Sequence, residues 1–421
     1  MFKTVVLASI LLSFKLTSAT VLELACEQSL DANECIIDGI QLQNSTSQLE
    51  MSFNRSKNGK LSLKNFVSIK SNQFLDQTTP TDLTIINSTL TMVPRNDSDQ
   101  DKVKQLCIKN STVLLLENGL KSFKKLKILN FEAVKIEEVS NEAFAGLKDV
   151  THIGLLNVSM TNELEAAIQQ IQGVSSLTCN RCSIDDQMFQ KLLNGFKTVD
   201  IIHVIANSIK SIKCDKIVKS QLSELSVSEN QVSGLFPTCK LPVVDASKNQ
   251  IKTLFIHSGT KSIDASMNLI KDVKCDVLID LFTLNLNDNL LTQLMCISSI
   301  ATLEQLYING NKIRFFKLNT FQKLTNLKVI SAMNNPIYYY QPNLFSSFPR
   351  NAITQISVDR FDFGYEDLKQ FYPKLTEVFH EKLNRTCDAY YKILEILKDQ
   401  NINLYFFELP NCEVKKDSII T

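Results

Sequence analysis

The chain has no tryptophan, little glycine (11 residues in 421), little proline (9) and no charge excess, with 45 Lys and Arg against 44 Asp and Glu. A formal net charge of +1 argues against nucleic acid or an anionic membrane surface as the default partner. Past the first twenty residues no apolar stretch reaches the ~20 residues that a spanning helix needs. The hydrophilic end Lys415–Thr421 carries no lipid-anchor signal. Catalytic signatures are missing as well. His380-Glu381 lacks the second histidine of a zinc helix, and Gly259-Thr260-Lys261-Ser262 lacks the upstream glycine of a phosphate loop, where Leu254 stands. There is no G-x-S-x-G, and the four histidines (152, 203, 257, 380) are scattered. The reading is of a non-enzyme without cofactor or metal.

What is present starts with a hydrophobic content of 44%, enough for a large core. Lys3, the apolar run Val5–Phe14 and the small residues Thr17-Ser18-Ala19 read as a secretory signal over residues 1–19. The run is too short for the alternative, an N-terminal membrane anchor. Seven sequons, at Asn44, Asn54, Asn87, Asn96, Asn110, Asn157 and Asn384, support an extracellular glycoprotein. In that compartment most of the eleven cysteines should be paired.

The clearest internal pattern is LFTLNLNDNLLTQL, Leu281 to Leu294. Leu284 and Leu286 share one face of a strand, Thr283, Asn285 and Asn287 the other, and Asn289 turns the chain. Such a unit cannot bury its own leucines and must stack on copies. Turn positions recur at Ser88, Ser111, Val134, Val158, Cys182, Asn207, Asn230, Asn249, Asn268, Asn289, Asn311 and Asn335, at intervals of 19 to 25 residues. Apolar residues sit eight, five and three positions before each turn and two after it, as in Leu222, Leu225, Val227 and Val232. This is the period of leucine-rich repeats. The fold class is therefore α/β: a leucine-rich repeat solenoid, or horseshoe, with a parallel concave β-sheet and disulfide-closed caps at both ends.

The domains follow: signal peptide 1–19, N-terminal cap and a first irregular repeat 20–80, repeats 81–362, and a helical C-terminal cap 363–421. No repeat can be placed between Leu49 and Gln77. Short outer helices are expected over Asn162–Ile171 and Asp185–Asn194, the latter stopped by Gly195. The 19-residue units at Asn249 and Asn268 leave room only for extended outer segments. A helix from about Tyr365 to Gln400 and a strand in NINLYFF complete the cap, its apolar stripe too short for a self-sufficient coiled coil.

Cys26 with Cys35 and Cys387 with Cys412 are the natural cap bridges. Cys275 and Cys296 stand at equivalent positions of neighbouring units, within disulfide reach at a ~5 Å repeat. Cys214 and Cys239 are also on adjacent coils. Cys179 and Cys182 either bridge each other or are buried apolar residues. Cys107 is left over, placed outward by its register, and suggests an intermolecular bond; the alternative is a one-residue slip that buries it.

On the concave face, His203, Ser226, Asp245, Asp264, Asn285 and Tyr307 should stack as one column. His203 and Asp245 are two units, roughly 10 Å, apart, too far to share one metal ion. Asn87, Asn110 and Asn157 place sequons along one rim of the N-terminal half, whereas Asn207 to Asn335 has none in that register. The bare half also offers anchors. Ile201, His203, Ile205, Asp245, Asp264, Met267, Asn285, Asn287, Tyr307 and Met333 are the expected partner-binding residues, with Val329 beside them.

TDLTIINSTLTMVP, LKKLKILNFEAVKIEEVSNEAFAGL, LEQLYINGNKI and the Cys387 to Cys412 cap resemble secreted insect leucine-rich repeat proteins. The group most similar in pattern is the mosquito leucine-rich immune molecules, in a short form lacking the coiled coil. That resemblance covers nearly the whole mature chain. It implies innate immunity, with a complement-like thioester protein or a pathogen surface molecule as partner. The missing coiled coil removes the route by which longer members form a disulfide-linked dimer, and Cys107 offers another. The alternative role is an extracellular matrix or receptor-like signalling modulator.

Overall fold

The structure is a computed structural model. It describes residues 59–66, 68–70, 80–93, 102–196, 198–213, 217, 222–317, 319–337, 352–358, 374–378, 392–403 and 405. Residues 21–24, 27–28, 34–38, 50–53, 339–340, 379–380, 387–391, 404 and 406 are described as backbone only. The chain divides into two compact units, 1–151 with 163–173, and 152–162 with 174–421.

In the first unit, strands Glu34–Asp38, Lys60–Lys64, Asp82–Ile86, Gln105–Lys109 and Ile128–Glu132 run parallel and in register. Leu61, Leu83, Leu106 and Leu129 form one buried row, and Leu63, Ile85, Ile108 and Phe131 the next. Past each turn a second parallel sheet follows, Ile69–Lys70, Thr89–Met92, Thr112–Leu115 and Lys135–Val139. The strand Lys60–Lys64 is a repeat that sequence reading did not place. Its turn residue is Phe66, buried, with its N–H donated to Ser88 Oγ at 3.1 Å. An aromatic at that position hides the pattern.

The second unit continues the same design. Parallel strands pair in order from His152–Leu156 and Ser176–Asn180 through Ile201–Ile205, Glu224–Ser226, Val243–Asp245, Ser262–Asp264, Thr283–Asn285, Gln305–Tyr307, Val329–Ser331 and Gln355–Ser357 to Glu377–His380 and Asn403–Phe406. Leu284 and Leu286 are fully buried, each worth about 1.5–3 kcal/mol of transfer from water. The 19-residue coils have extended outer segments, Ser233–Pro237 and Gln250–Ile256, which form one sheet with Asp272–Cys275 of the following 21-residue coil.

Seven buried asparagines staple these turns. Asn289 is typical: Oδ1 accepts from the Ile270 N–H at 2.9 Å, and Nδ2 donates to the carbonyls of Ala265, Leu286 and Asn287 at 3.0–3.1 Å. Asn230, Asn249, Asn268, Asn311 and Asn335 repeat that set one coil along. In the first unit Ser88 and Ser111 do a shorter version, each hydroxyl accepting from the coil before and donating within its own turn.

The residue just before every turn from Ser88 to Asn335 is left-handed, with φ between 47° and 63°. Only Gly310 among them is glycine. A Cβ there would lie 2.2 Å from Asp288 Oδ1. Left-handed backbone costs other residues roughly 1–2 kcal/mol, and most of these N–H groups are held by a carbonyl of the next coil, as in Met267 to Asn287 at 2.8 Å.

Three expectations change. The helix expected over Asn162–Ile171 covers Asn162–Ile168. The helix capped by Asp185, whose carboxylate accepts the Met188 N–H, includes Gly195 and ends at extended Phe196, so Gly195 is not a left-handed stop. The long C-terminal helix is in fact the strand Glu377–His380 followed by the helix Cys387–Asp399, because β-prone Val378 and Phe379 continue the ladder.

Candidate functional site

The strand register does stack His203, Ser226, Asp245, Asp264, Asn285 and Tyr307 side by side. Alternation along each strand turns them away from the leucine core, and all but buried Ser226 are half-exposed.

Most of the column is bonded to itself. Asp245 Oδ2 accepts from Ser226 Oγ at 2.8 Å, while its Oδ1 accepts the Ser247 N–H at 3.0 Å and hydroxyl at 2.7 Å. Asp264 does the same with Asn285 Nδ2 at 2.9 Å and with the Ser266 N–H and hydroxyl at 2.9 and 2.6 Å. Asn285 Oδ1 takes the Asn287 N–H, and Asn287 Oδ1 takes the Asn309 N–H. Asn309 Oδ1 in turn accepts from Ser331 Oγ and the Met333 N–H, both at 2.8 Å. His203 Nε2 lies 2.9 Å from Glu224 Oε1, and Tyr307 Oη 3.3 Å from Gln305 Oε1. Each carboxylate thus holds the turn that follows its own strand. Sequence spacing gave the column but not this ladder, for which the signal was the recurring D-A-S after each strand, Asp245–Ser247 and Asp264–Ser266.

The remaining expected contact residues divide. Ile201 and Ile205 flank His203, half-exposed. Met267 is 51% exposed at a left-handed turn position, on the rim and off the strand column. Met333 is buried at 7% exposure, its N–H donated to Asn309 Oδ1, and it is withdrawn as a contact. Two exposed residues were missed, Val243 at the head of its strand and Phe282, over whose ring Lys261 Nζ sits at 5.3 Å. Beside the column, Glu229 and Lys248 pair at 2.6 Å, which holds the Glu229 carboxyl below and the Lys248 ammonium above their ordinary pKa values.

Among the described residues no group of three His, Cys, Asp or Glu side chains could hold a metal ion, and no helix is long and apolar enough to cross a membrane. Cys275 and Cys296 are joined, with Cα atoms 6.1 Å apart. Cys239 is disulfide-bonded; Cys214, like Cys26 and Cys412, lies outside the described residues, as do the side chains of Cys35 and Cys387. Cys179 and Cys182 are buried free thiols in contact. Their mutual hydrogen bond and burial push Cys179 well up. Cys107 is free and half-buried, paired in register with Thr84 and Asn130, and burial raises its thiol pKa. Asn87, Asn110 and Asn157 are exposed, whereas Asn44, Asn54, Asn96 and Asn384 lie outside the described residues.

No protein-family model matches the chain. It is 37% identical over 75 residues to leucine-rich repeat-containing G-protein coupled receptor 5 of Rattus norvegicus, a stretch of 18% of this chain and 8% of the receptor. The chain therefore spans far less than two thirds of that relative. Among solved structures it is similar to the leucine-rich repeat domain of mosquito APL1, with TM-score 0.55 and 16% identity over 79% of this chain and 94% of that one. A leucine-rich repeat protein of Leptospira interrogans superposes with TM-score 0.54 and 16% identity, over 78% and 90%. The mosquito LRIM1/APL1C complex does so with TM-score 0.51 and 19% identity, over 69% and 57%. The fold is a leucine-rich repeat solenoid. At these identities the likeness speaks for the fold alone.

Proposed function

We propose that this chain is a secreted, non-catalytic recognition protein that binds a protein partner on the strand face between Asn207 and Asn335, in innate immunity. The observation that carries the reading is the self-bonded column from Ser226 to Asn309. Two carboxylates held in fixed rotamers present negative charge without losing side-chain freedom on binding, which is the advantage of a pre-organised surface. Exposed Val243, Met267 and Phe282 border it as apolar contacts. The immune role draws on the resemblance to leucine-rich immune molecules, and the partner class is a complement-like thioester protein or a pathogen surface molecule.

A pull-down from body fluid tests this. Asp245→Asn with Asp264→Asn keeps an acceptor for Ser247 and Ser266 while removing the charge, and Tyr307→Ala removes the ring. Both should weaken capture. Normal capture by these variants, with loss on Asn130→Lys in the first unit, would overturn the assignment. Extracellular matrix or receptor-like signalling modulation is the second reading, favoured by the 75-residue likeness to the rat receptor, and recovery of matrix components would select it. A dimer through Cys107 would vanish on a reducing gel and in Cys107→Ser.

A further inference from the structure

The outer wall of the second unit contains a break. Its three-stranded sheet ends at Asp272–Cys275, and the next coil runs as the 3-10 turn Met295–Ser299 in place of a strand. Pairing resumes only at Phe315–Phe316, with Tyr339–Tyr340. The turn is bound firmly to the sheet behind it. Val273, on the last strand, donates its N–H to Met295 Sδ at 3.4 Å, and the Cys275–Cys296 disulfide ties the two coils. Between this turn and Phe315–Phe316 a cavity of about 740 Å³ opens. That is within the volume range of ligand sites, roughly 300–1,000 Å³.

Its lining has one charge sign. Lys312, Arg314 and Lys317 contribute to the wall, and among the described residues no acidic one does. Among the described residues none of the three forms an ion pair, although seven other pairs form elsewhere in the molecule. The floor is apolar, with Leu294 and Phe316 buried and Phe315 left 43% exposed. Exposed Lys312, Arg314 and Lys317 beside an apolar floor are complementary to an anion that carries apolar side chains.

We propose that this cavity is a second binding site, for an acidic segment of a partner protein in which carboxylate and aliphatic side chains alternate. Carboxylates would meet the two lysines and Arg314, whose guanidinium can donate two parallel hydrogen bonds to one carboxylate. Aliphatic side chains would cover Phe315 and Leu294. In an extended peptide the alternating period puts the aliphatic side chains toward the floor and the carboxylates on the other face, toward the long, flexible lysine and arginine side chains at the rim. This site is independent of the strand face.

The test is fluorescence polarisation with the full secreted chain and a labelled peptide alternating aspartate with leucine. A lysine–leucine peptide and a sulfated oligosaccharide serve as comparisons. The acidic peptide should bind, and Lys312→Glu with Arg314→Glu should weaken it by more than about tenfold. Lys312→Arg with Arg314→Lys should retain it, Phe315→Ala should weaken it, and Lys271→Glu on another coil should leave it unchanged. Tyr307→Ala on the strand face should also have no effect. Absence of binding, equal binding of the lysine peptide, tighter binding of the sulfated oligosaccharide, or loss on Tyr307→Ala or Lys271→Glu would each overturn the proposal. Circular dichroism of every variant separates loss of the site from loss of the fold.

Discussion

Removing one carboxamide from the ladder isolates what holds a coil to its neighbour. In Asn289→Ala, four hydrogen bonds disappear, but they are not equivalent. The Ala265 carbonyl keeps its bond from Asn268 Nδ2, Leu286 keeps the one from Asn311 Nδ2, and Asn287 keeps the one from the Met267 N–H. Only the Ile270 N–H has Asn289 as its sole partner. One buried, orphaned donor costs about 1–3 kcal/mol, and the three weakened carbonyls add less, so the loss should be about 2–3 kcal/mol. Asn289→Ser should recover about half, since a serine hydroxyl accepts an N–H from the preceding coil at Ser88 and Ser111. Asn285→Ala, which breaks two half-exposed bonds, should cost less than about 1 kcal/mol.

The assay is native-state hydrogen exchange, which needs no assumption of two-state unfolding in a chain of two units. The Ile270 amide should exchange about 30-fold faster in Asn289→Ala if the loss is ~2 kcal/mol. The Ile251 amide, held by Asn268, should change less. If the Ile270 amide is unaffected, or if Ile251 and Ile270 respond alike to Asn285→Ala and Asn289→Ala, the single-orphan reasoning fails.

Three further outcomes are expected. Asp276 is held below its ordinary pKa, first by the Ser258 amide and then by His257, so its contribution to stability is present above about pH 4. It is lost as pH falls through the folded value, and Asp276→Asn should flatten the acid limb of the urea midpoint plotted against pH. Met267→Gly relieves a left-handed residue that is half-exposed, and should stabilise by about 0.5–1 kcal/mol in urea denaturation. With a maleimide under native conditions, Cys107 should react slowly, and Cys179 and Cys182 only after denaturant is added.

Periodicity carried the fold because the strand core is local: Leu284 and Leu286 alternate with Thr283 and Asn285 whatever lies outside. The repeat at Lys60–Lys64 escaped because Phe66 stands where the ladder residue should be, and the C-terminal strand Glu377–His380 escaped because its neighbours are helix-like in composition. The column of Asp245, Asp264 and Asn285 was readable by the same counting. What counting could not supply was which polar atoms are already engaged, since that depends on rotamers in adjacent coils. The burial of Met333 was equally hidden: Asn287 and Asn309, at the same position of the two preceding coils, are half-exposed, yet Met333 is buried. The cationic cavity was not legible, because it depends on where a strand is replaced by a 3-10 turn.

The ladder also bears on how the sequons are read. Asn87-Ser88-Thr89 and Asn110-Ser111-Thr112 each join a left-handed residue, a ladder serine and the first residue of a strand. Asparagine tolerates the left-handed first position better than most side chains, although Ala133, Arg181, Glu229, Lys248 and Met267 also occupy it. Serine fits the second because its hydroxyl serves both coils, and β-branched threonine fits the third. The turn therefore favours N-S-T on its own, and such triplets can arise in a repeat that is never glycosylated. Asn157-Val158-Ser159 differs, because buried Val158 has no ladder hydroxyl. Glycan occupancy by mass spectrometry after enzymatic release separates the two origins. Modification at Asn87 and Asn110 supports the rim-shielding argument for the strand face. Bare asparagines at both would leave that argument resting on Asn157 and on the exposed residues of the second unit.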